Sequence, residues 1–390
     1  MPLIFAPLFL AAVTITTASA EVRVTGVLFD PHVSRSGHGD NWHMTWASDD
    51  AQYTVLGDGM GWGGPEYNTR IWRLRGDAAN FEPEDLPGYP EIGRAHRWYG
   101  YGIVSIKGTL YHFISHTPQM LAPFNGSRLV FSEDLGQSWQ MSDGTPMTWA
   151  PATPENMFFW DVRDSAFAHI SILQFGRDYE DNVDGYLYLY APNSQSDERM
   201  RQLVLARVPV GHIRDREFYE FFVRADDQGG AEWSASIEDR QPVHIFPDGW
   251  VAEDLRYSWH PSVVYNKALN LYMMAAGGTG RGGVFAKLPM YLGIYTAPNP
   301  WGPWTQVHED EAWLAPGDPG SRLYEPVIAP KWIAEDGLSF HLVFSDVKNW
   351  GDPWGDEVNY QFCVQKVTLA VEQDPAQSSG RKRPRCLRCR

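Results

Sequence analysis

Several features are scarce in this 390-residue chain, and each scarcity excludes a class of protein. Cysteine occurs three times, too few for the disulfide framework of a small secreted domain. After the N-terminal segment, no apolar run approaches the roughly 18 residues of a membrane span, so we expect no membrane partner. Basic residues number 32 against 48 acidic ones, and the net charge of −16 argues against nucleic acid as a partner. A local cluster of Arg and His could still bind a polyanionic substrate.

Familiar catalytic motifs are also missing. No G-x-S-x-G, Walker loop or H-E-x-x-H sequence occurs, so serine hydrolase, phosphate-loop and zincin interpretations have no support. What the chain has in abundance is 17 Trp, 18 Tyr and 19 Phe, beside 36 Gly and 28 Pro. This composition suits many short strands joined by tight turns, and a hydrophobic content of 43% excludes global disorder.

Both ends of the chain differ from its body. Residues 1–20 carry no charge and end in Ala-Ser-Ala, which is typical of a secretory signal peptide; a buried N-terminus or a membrane anchor is the alternative. Residues 373–390 form a basic tail that we expect to be flexible. We therefore predict a secreted or periplasmic protein with one folded catalytic domain over residues 21–372.

Metal binding stays open at this point. Cys363, Cys386 and Cys389 could form a zinc site with a histidine, although an incidental disulfide in a frayed tail is the simpler explanation. The acidic run over residues 180–185 is like a calcium loop, but Ala191 stands where the twelfth-position ligand would be. Structural zinc or calcium thus remains a hypothesis, and the metal ligands are unknown.

Five similar units recur between residues 40 and 370. Each has a polar cluster, an apolar inner strand, a turn, an aromatic strand and an outer strand. The units begin at Asp40, His96, Arg163, Trp259 and Tyr324. Such repetition predicts an all-β fold, a single β-propeller with five blades legible in the sequence.

Two turn sequences support this prediction. Residues 132–139 fit S-x-D-x-G-x-x-W and resemble the Asp-box turn of sialidase-like propellers, in which Asp and Gly close a hairpin and Trp packs between blades. Residues 296–304 resemble the Gly-Pro-Trp turn of five-bladed, arabinanase-like glycosidases. Both are structural signatures and say nothing about chemistry.

The inner strands of a propeller start around one end of its central channel, so the polar cluster before each inner strand should converge there. We expect substrate-binding and catalytic groups among these residues. They are Asp40, Asn41, His43, His96, Arg97, Tyr99, Tyr101, Arg163, Asp164, Tyr257, His260 and Glu325. His116 ends the strand after His96 and could return to the same rim.

A second candidate region is the loop that contains Arg177 and Tyr179. Functional residues concentrate in loops between well-defined strands. Arg177 offers a fixed cation for a carboxylate or sulfate, and Tyr179 a phenol that can act as acid or base. Solvated loop charges and a packed tyrosine are equally open at this point.

Three segments resemble the propeller polysaccharide lyases that include the ulvan lyases: HRWYGYG, FWDVRDSAFAHISILQFGRDY with its following YLYLY strand, and WHPSVVYN. The resemblance implies an exported enzyme, with up to seven blades, that cleaves an anionic, sulfated and uronate-containing polysaccharide by β-elimination. It implies a catalytic role for His96, His116 and Arg177. Tyr179 is the first candidate for the family's tyrosine, with the alternatives Tyr99, Tyr219 and Tyr265.

The chemistry of β-elimination suits those residue types. A guanidinium neutralises the uronate carboxylate, and His or Tyr then moves the protons, so no cofactor is required. We expect the enzyme to act as a monomer. Two alternatives stay open: a propeller glycoside hydrolase with two carboxylates from Asp40, Asp164 and Glu325, or a carbohydrate-binding propeller without catalysis.

Overall fold

The structure is a computed structural model in which part of the chain is described. The described ranges are 22–93, 96–119, 123–160, 164–195, 198–247, 250, 261–278, 290–348 and 359–373. The predicted signal peptide and residues 374–390 of the predicted tail lie outside the described residues, whereas Gln373 ends the last strand. So do Arg163, Tyr257, His260, Cys386 and Cys389.

The described residues contain 25 strands and five short 3₁₀ helices. In chain order the strands are β1 (Val22–Ser36), β2 (His38–Gly39), β3 (Met44–Trp46), β4 (Gln52–Leu56), β5 (Gly59–Gly61), β6 (Arg70–Arg75), β7 (Glu82–Asp85), β8 (Trp98–Ile106), β9 (Thr109–His116), β10 (Gly126–Ser132), β11 (Gln140–Met141), β12 (Phe159–Trp160), β13 (Ser171–Ile172), β14 (Tyr186–Pro192), β15 (Gln202–Pro209), β16 (Glu220–Ala225), β17 (Ala231–Ser234), β18 (Pro242–Ile245), β19 (Ser262–Asn266), β20 (Leu271–Gly278), β21 (Met290–Ala297), β22 (Thr305–Trp313), β23 (Arg322–Ile328), β24 (Ser339–Val347) and β25 (Tyr360–Gln373). The 3₁₀ helices span Arg177–Tyr179, Glu198–Arg201, Arg216–Phe218, Ile237–Asp239 and Pro330–Trp332.

Most of these strands form five antiparallel sheets that follow one another along the chain, and β2 pairs with β5 in a small two-stranded sheet. Four of them run β3-β4-β6-β7, β8-β9-β10-β11, β13-β14-β15-β16-β17 and β19-β20-β21-β22, and the fifth runs β23-β24-β25-β1. The first strands of successive sheets, β3, β8, β13, β19 and β23, lie against one another as the inner strands. The protein is therefore a five-bladed β-propeller, as the repeats predicted, and the seven blades that the resemblance implied are wrong.

The fifth blade joins the two ends of the described domain. Strand β1 pairs antiparallel with β25, from Val22 opposite Gln373 to Ser36 opposite Phe362. An ion pair of 2.9 Å between Arg35 Nε and Asp346 Oδ2 reinforces the same sheet. Strand β1 is the outermost strand of this blade, so its pairing with β25 joins the start and the end of the described range within one blade.

The predicted Asp-box turn is present between β10 and β11. The Asp134 carboxylate accepts hydrogen bonds from the Ser132 hydroxyl (2.8 Å) and from the backbone N–H of Ser138 (2.9 Å). Gly136 has φ +89°, a conformation that favours glycine. The buried Trp139 packs edge-on against Tyr89, which follows the first blade, so this turn joins two blades.

The second turn sequence also packs between blades. Trp304, just before β22, lies edge-on to Tyr190 of the third blade, with ring centroids 6.4 Å apart. The Tyr190 hydroxyl donates to the Pro300 carbonyl at 2.6 Å. This region therefore couples the fourth blade to the third.

Two further observations concern the metal and membrane predictions. Cys363 is buried on β25 as a free thiol, and burial raises the pKa of this thiol well above the usual value. Among the described residues, no group of three or more His, Cys, Asp or Glu side chains could hold a metal ion. No helix in the described ranges is long and apolar enough to cross a membrane.

Candidate functional site

Strained backbone occurs at several turns of the described chain, and four such residues lie before or within inner strands at one end of the propeller, which we call the channel entrance. Asn41 before β3, Arg97 before β8, Ser165 before β13 and Glu325 within β23 all have φ between 53° and 61°. Residues other than glycine rarely adopt this left-handed conformation, and each costs of order 1–3 kcal/mol. Such strain is typical of functional sites, so the side chains at this end are candidates for one.

Glu325 points toward the channel entrance because a β-bulge interrupts its strand. The pairing of β23 with β24 shifts register between Tyr324 and Val327, which leaves Glu325 and Pro326 outside the regular ladder. Bulges of this kind re-aim a side chain. The Glu325 carboxyl then accepts the backbone N–H of Asn41 at 2.8 Å, across the junction of the fifth and first blades.

Asp40 lies beside it and is held by three hydrogen-bond donors. Its Oδ2 accepts the hydroxyls of Tyr360 (2.5 Å) and Tyr324 (3.2 Å), and its Oδ1 accepts the side-chain amide of Asn41 (3.1 Å). Asp40 is buried. Hydrogen bonds to a carboxylate stabilise its charged form. Asn41 therefore links Asp40 through its side chain and Glu325 through its backbone.

A third carboxylate, Asp58, completes what we call the carboxylate cluster, defined as Asp40, Asp58 and Glu325. The Asp58 carbonyl accepts the backbone N–H of Asp40 at 3.1 Å. Its side chain accepts the amide of Asn68 at 3.1 Å. Its negative charge also raises the pKa of Glu325, which places both carboxyl groups in one electrostatic environment.

The environment of Glu325 keeps its proton bound at neutral pH. Burial raises the pKa of Glu325 to about 8; the hydrogen bond from the Asn41 N–H opposes this rise, and the charge of Asp58 adds to it. Asp40 instead receives three donors that favour its ionised form. Two neighbouring carboxyl groups in environments with opposite effects are the arrangement of a general acid beside an anionic partner.

An aromatic wall, formed by Tyr99, Tyr101, Phe124 and His169, stands beside the carboxylate cluster. The ring centroids of Tyr101 and His169 are 3.8 Å apart, and Phe124 lies 5.6 Å from Tyr101 and 5.8 Å from Tyr99. Strand β8 shifts register between Gly100 and Ile103, so Tyr101 lies in a second bulge. Burial and the charges of Glu325 and Asp40 raise the pKa of Tyr101, so its phenol stays protonated.

The side chain of Asn41 has room only because residue 57 is glycine. A Cβ added at Gly57 would lie 2.1 Å from Asn41 Nδ2 and 2.6 Å from Asn41 Cβ. We predict that Gly57→Ala displaces Asn41 and lowers turnover on the order of 10²-fold, because small misplacements of this size are costly in catalysis. Steady-state kinetics with thermal melting measures the effect. Unchanged turnover in a folded Gly57→Ala variant would contradict the bridging role of Asn41.

The structure places His96 and His116 on the same hairpin, at the channel entrance. His96 is exposed, and Trp98, two residues later, pairs across the hairpin with His116. The His116 ring packs on Trp98 at 4.7 Å, and its Nδ1 lies 3.0 Å from Asn125 Oδ1. Burial lowers the pKa of His116, which keeps the ring neutral. Because Tyr99 follows Trp98 on a strand, His116 and the aromatic wall lie on opposite faces of this blade.

Arg97 and Tyr99 lie at the predicted rim. Burial and the charge of Asp58 raise the pKa of Tyr99, while hydrogen bonds from Arg97 and Asn68 oppose the rise. The Arg97 carbonyl also accepts the backbone N–H of Thr117 at 3.2 Å, which fixes the start of the hairpin. Tyr99 is half-buried and forms the accessible part of the aromatic wall.

Asp164 interacts with two arginines. Its Oδ1 accepts Arg199 Nη2 at 2.9 Å, and its Oδ2 accepts Arg240 Nη2 at 3.2 Å. Arg240 is buried and also donates to Asn193 Oδ1 at 2.8 Å. Such ion pairing satisfies a buried carboxylate within the third blade. Of the three carboxylates that the sequence offered, the structure therefore links Asp40 to Glu325, and Asp164 to arginines.

Arg177 lies at the other end of the propeller. The neighbouring Asp178 accepts the Ser105 hydroxyl (2.7 Å) and the Gly108 backbone N–H (3.0 Å), both at the far end of β8. Arg177 is exposed and donates to the Ser48 carbonyl, which follows β3. At about 3.3 Å per residue, a nine-residue strand spans roughly 25 Å. The structure therefore does not bring Arg177 together with His96, because a loop after an inner strand lies opposite a loop before one.

We predict that Arg177→Lys changes kcat/KM by about twofold or less, because a substitution at an exposed position shifts free energies by only about 0.5 kcal/mol. The measurement is steady-state kinetics on the polysaccharides that the sequence predicts as substrates. A large loss of turnover with an unchanged melting temperature would return Arg177 to the catalytic site.

The hydroxyls of the other candidate tyrosines donate hydrogen bonds within the fold, away from the carboxylate cluster. Tyr179 is buried and donates to the Tyr186 carbonyl at 3.1 Å. Tyr219 is buried in the third blade and donates to the Ile213 carbonyl at 2.7 Å. The Tyr265 hydroxyl donates to Asn270 in its own hairpin. The structure does not bring these three phenols to the carboxylate cluster.

Sequence reasoning missed Asp58 and Tyr360 as site residues. Asp58 follows β4, the second strand of its blade, and antiparallel pairing returns the end of that strand to the channel entrance. This antiparallel return of the second strand could have predicted Asp58 from the sequence. Tyr360 begins β25, and its position depends on the register of β25 with β24, where it lies opposite Val347.

Fold and site together define a class: a five-bladed propeller with three carboxylates and an aromatic wall at the channel entrance. The chain belongs to the family described as "Domain of unknown function (DUF4185)", whose model matches residues 101–362. No curated protein matches the chain.

Several solved structures are similar at low identity. Bacteroides ovatus Xyloglucan PUL GH43B is 13% identical with a TM-score of 0.47, covering 87% of this chain and 54% of its own. The xylan beta-1,4-xylosidase of Bacillus halodurans is 10% identical with a TM-score of 0.46, covering 86% and 53%. The Bacillus subtilis arabinanase Arb43A is 10% identical with a TM-score of 0.47, covering 86% and 96%. The chain thus spans about half the length of the first two, and we infer function from the site itself.

Proposed function

We propose that this protein is a glycoside hydrolase. The observation that carries the proposal is the pair Asp40 and Glu325, which come from two blades and are joined through Asn41. Burial keeps a proton on Glu325, and three donors favour the anion of Asp40. Glycoside hydrolysis requires such a pair, one carboxylic acid and one carboxylate.

The two groups take complementary roles in this mechanism. The Glu325 carboxylic acid donates its proton to the glycosidic oxygen, so the C–O bond breaks and the leaving sugar departs as an alcohol. The Asp40 carboxylate faces the positive charge that develops at the sugar ring. It either attacks the anomeric carbon or removes a proton from the attacking water. The net reaction consumes one water and forms one new reducing end.

The aromatic wall supplies the binding surface for the sugar. Tyr99, the accessible part of the wall, presents its ring beside the carboxylates, with the buried Phe124 packed edge-on against it. The apolar C–H faces of sugar rings pack on such aromatic surfaces. Buried Tyr101 keeps its hydroxyl proton and can donate to a sugar oxygen.

The polysaccharide lyase interpretation has less support. It needs a cation to neutralise the uronate carboxylate, and its candidate Arg177 lies at the far end of the propeller. The carboxylate cluster also repels an anionic substrate. Export remains part of the proposal, because a polysaccharide substrate lies outside the cell. Action as a monomer is proposed as well, since the carboxylate cluster is built from one chain.

One incubation separates the candidate functions. The purified protein is mixed with ulvan, with other uronate polysaccharides and with neutral arabinans, xylans and glucans. New reducing ends without new ultraviolet absorbance support hydrolysis. An unsaturated uronate, seen as new absorbance, would show a lyase. Retention on a glycan without either product would show a binding protein. The Glu325→Gln variant is the control for contaminating enzymes.

A further inference from the structure

The charge and orientation of Asp40 depend on two tyrosines from the fifth blade. Tyr324 lies on the inner strand β23 and is fully buried, while Tyr360 begins the third strand, β25, and is 6% exposed. Both hydroxyls donate to the same oxygen, Asp40 Oδ2, at 3.2 and 2.5 Å. Two blades therefore meet at one carboxylate, through side chains more than 280 residues away from it in sequence.

We propose that Tyr324 and Tyr360 are positioning residues that keep Asp40 ionised and fix its orientation for glycoside hydrolysis. This inference rests on the proposed function. Hydrogen bonds from neutral hydroxyls stabilise a carboxylate without placing a positive charge in the site. Burial and nearby carboxylates raise the pKa of both phenols, so they remain donors throughout the working pH range.

The charges of neighbouring carboxyl groups also act on Asp40. Negative charge nearby disfavours its ionisation, so the two hydroxyls act against a real electrostatic cost. The titratable groups near Asp40 and its two tyrosines include Asp58, Glu325, Tyr101 and His38, the last packing edge-on against Tyr360 at 5.3 Å. Loss of one phenol donor therefore should shift Asp40 toward its protonated form.

The test uses the full chain with Tyr360→Phe, Tyr324→Phe and the double substitution. Tyr190→Phe is the matched control, because Tyr190 is equally buried and donates to the Pro300 carbonyl instead. The readout is the titration of the Asp40 carboxyl carbon by NMR, assigned through Asp40→Asn. We expect Tyr360→Phe to raise the titration midpoint by about one pH unit. The acid limb of kcat/KM should move to higher pH by the same amount.

The outcomes separate the two proposals. An Asp40 midpoint in Tyr360→Phe and Tyr324→Phe equal to that in Tyr190→Phe would overturn the positioning role, whatever the enzyme does. If the protein cleaves no glycan but the midpoint shifts as expected, the positioning of Asp40 stands and the hydrolase proposal fails. A fall in turnover with an unchanged acid limb would indicate a packing role only and would also overturn the inference.

Discussion

Glu325→Gln should lower kcat on glycans by about 10³-fold, because general acid catalysis supplies about 10²–10⁴ of the rate. The amide keeps the shape of the side chain and its oxygen can still accept the Asn41 N–H. What it loses is the proton that the leaving oxygen needs. The measurement is initial rates of reducing-end release, compared with the wild-type protein at the same pH.

The leaving group provides a control on this role. An aryl glycoside with a strongly acidic phenol needs little protonation, so Glu325→Gln should be far less impaired on that substrate. In the wild-type protein, activity should fall as pH rises through about 8, where Glu325 loses its proton. The variant should lack this alkaline limb. Equal losses on activated and natural substrates would show that Glu325 is not the general acid.

The Glu325→Gln substitution should raise the stability of the protein although it lowers the activity. The folded-state pKa of Glu325 is raised to about 8, whereas an unfolded glutamate titrates near about 4.3. Between these values the unfolded chain is ionised and the folded one is protonated, so stability falls as pH rises through this window. Glutamine carries no such cost. Glu325→Gln should therefore melt at a higher temperature than the wild type at pH 7. That result would exclude misfolding as the cause of lost activity.

The repeats made the fold predictable, because each blade repeats the same alternation of apolar strands and polar turns. They also predicted that Asn41 and Glu325 lie at the channel entrance: Asn41 comes just before β3, whereas Glu325 lies in a bulge within β23. Arg177 was associated with His96 by resemblance, but it follows an inner strand and therefore lies at the far end. The interactions of Asp164 with Arg199 depend on tertiary packing that no local pattern records.

Other parts of the site depend on register. Tyr360 reaches Asp40 because β25 pairs with β24 in one alignment, and a shift by one residue would turn its side chain to the other face. The bulge that aims Glu325 is likewise a tertiary feature: Glu325 adopts φ +56° against its own preference. Sequence reasoning finds the strands, whereas the alignment between them selects the residues that meet.

Asp40→Asn should have the second large effect, a loss of turnover on the order of 10⁴-fold. Asparagine is nearly isosteric, but it is neutral and offers one acceptor oxygen in place of two. It therefore cannot stabilise the cationic sugar or act as nucleophile or base. The configuration of the wild-type product distinguishes these roles: retention at the anomeric carbon would identify Asp40 as the nucleophile, and inversion would identify it as the base. Recovery of Asp40→Asn turnover by added azide or formate would show that a small anion can replace the missing carboxylate in either role.

Asp164→Asn is the matched control for this prediction, since it makes the same change at another buried aspartate. Removing that charge leaves the buried Arg240 without its ion pair, so the melting temperature should fall while most turnover remains. His96→Ala should likewise retain most turnover, since the proposed hydrolysis uses Asp40 and Glu325 and assigns no step to the exposed imidazole. The reverse ranking, with His96→Ala inactive and Asp40→Asn nearly silent, would favour proton transfer by histidine and hence the lyase, because β-elimination needs no nucleophilic carboxylate.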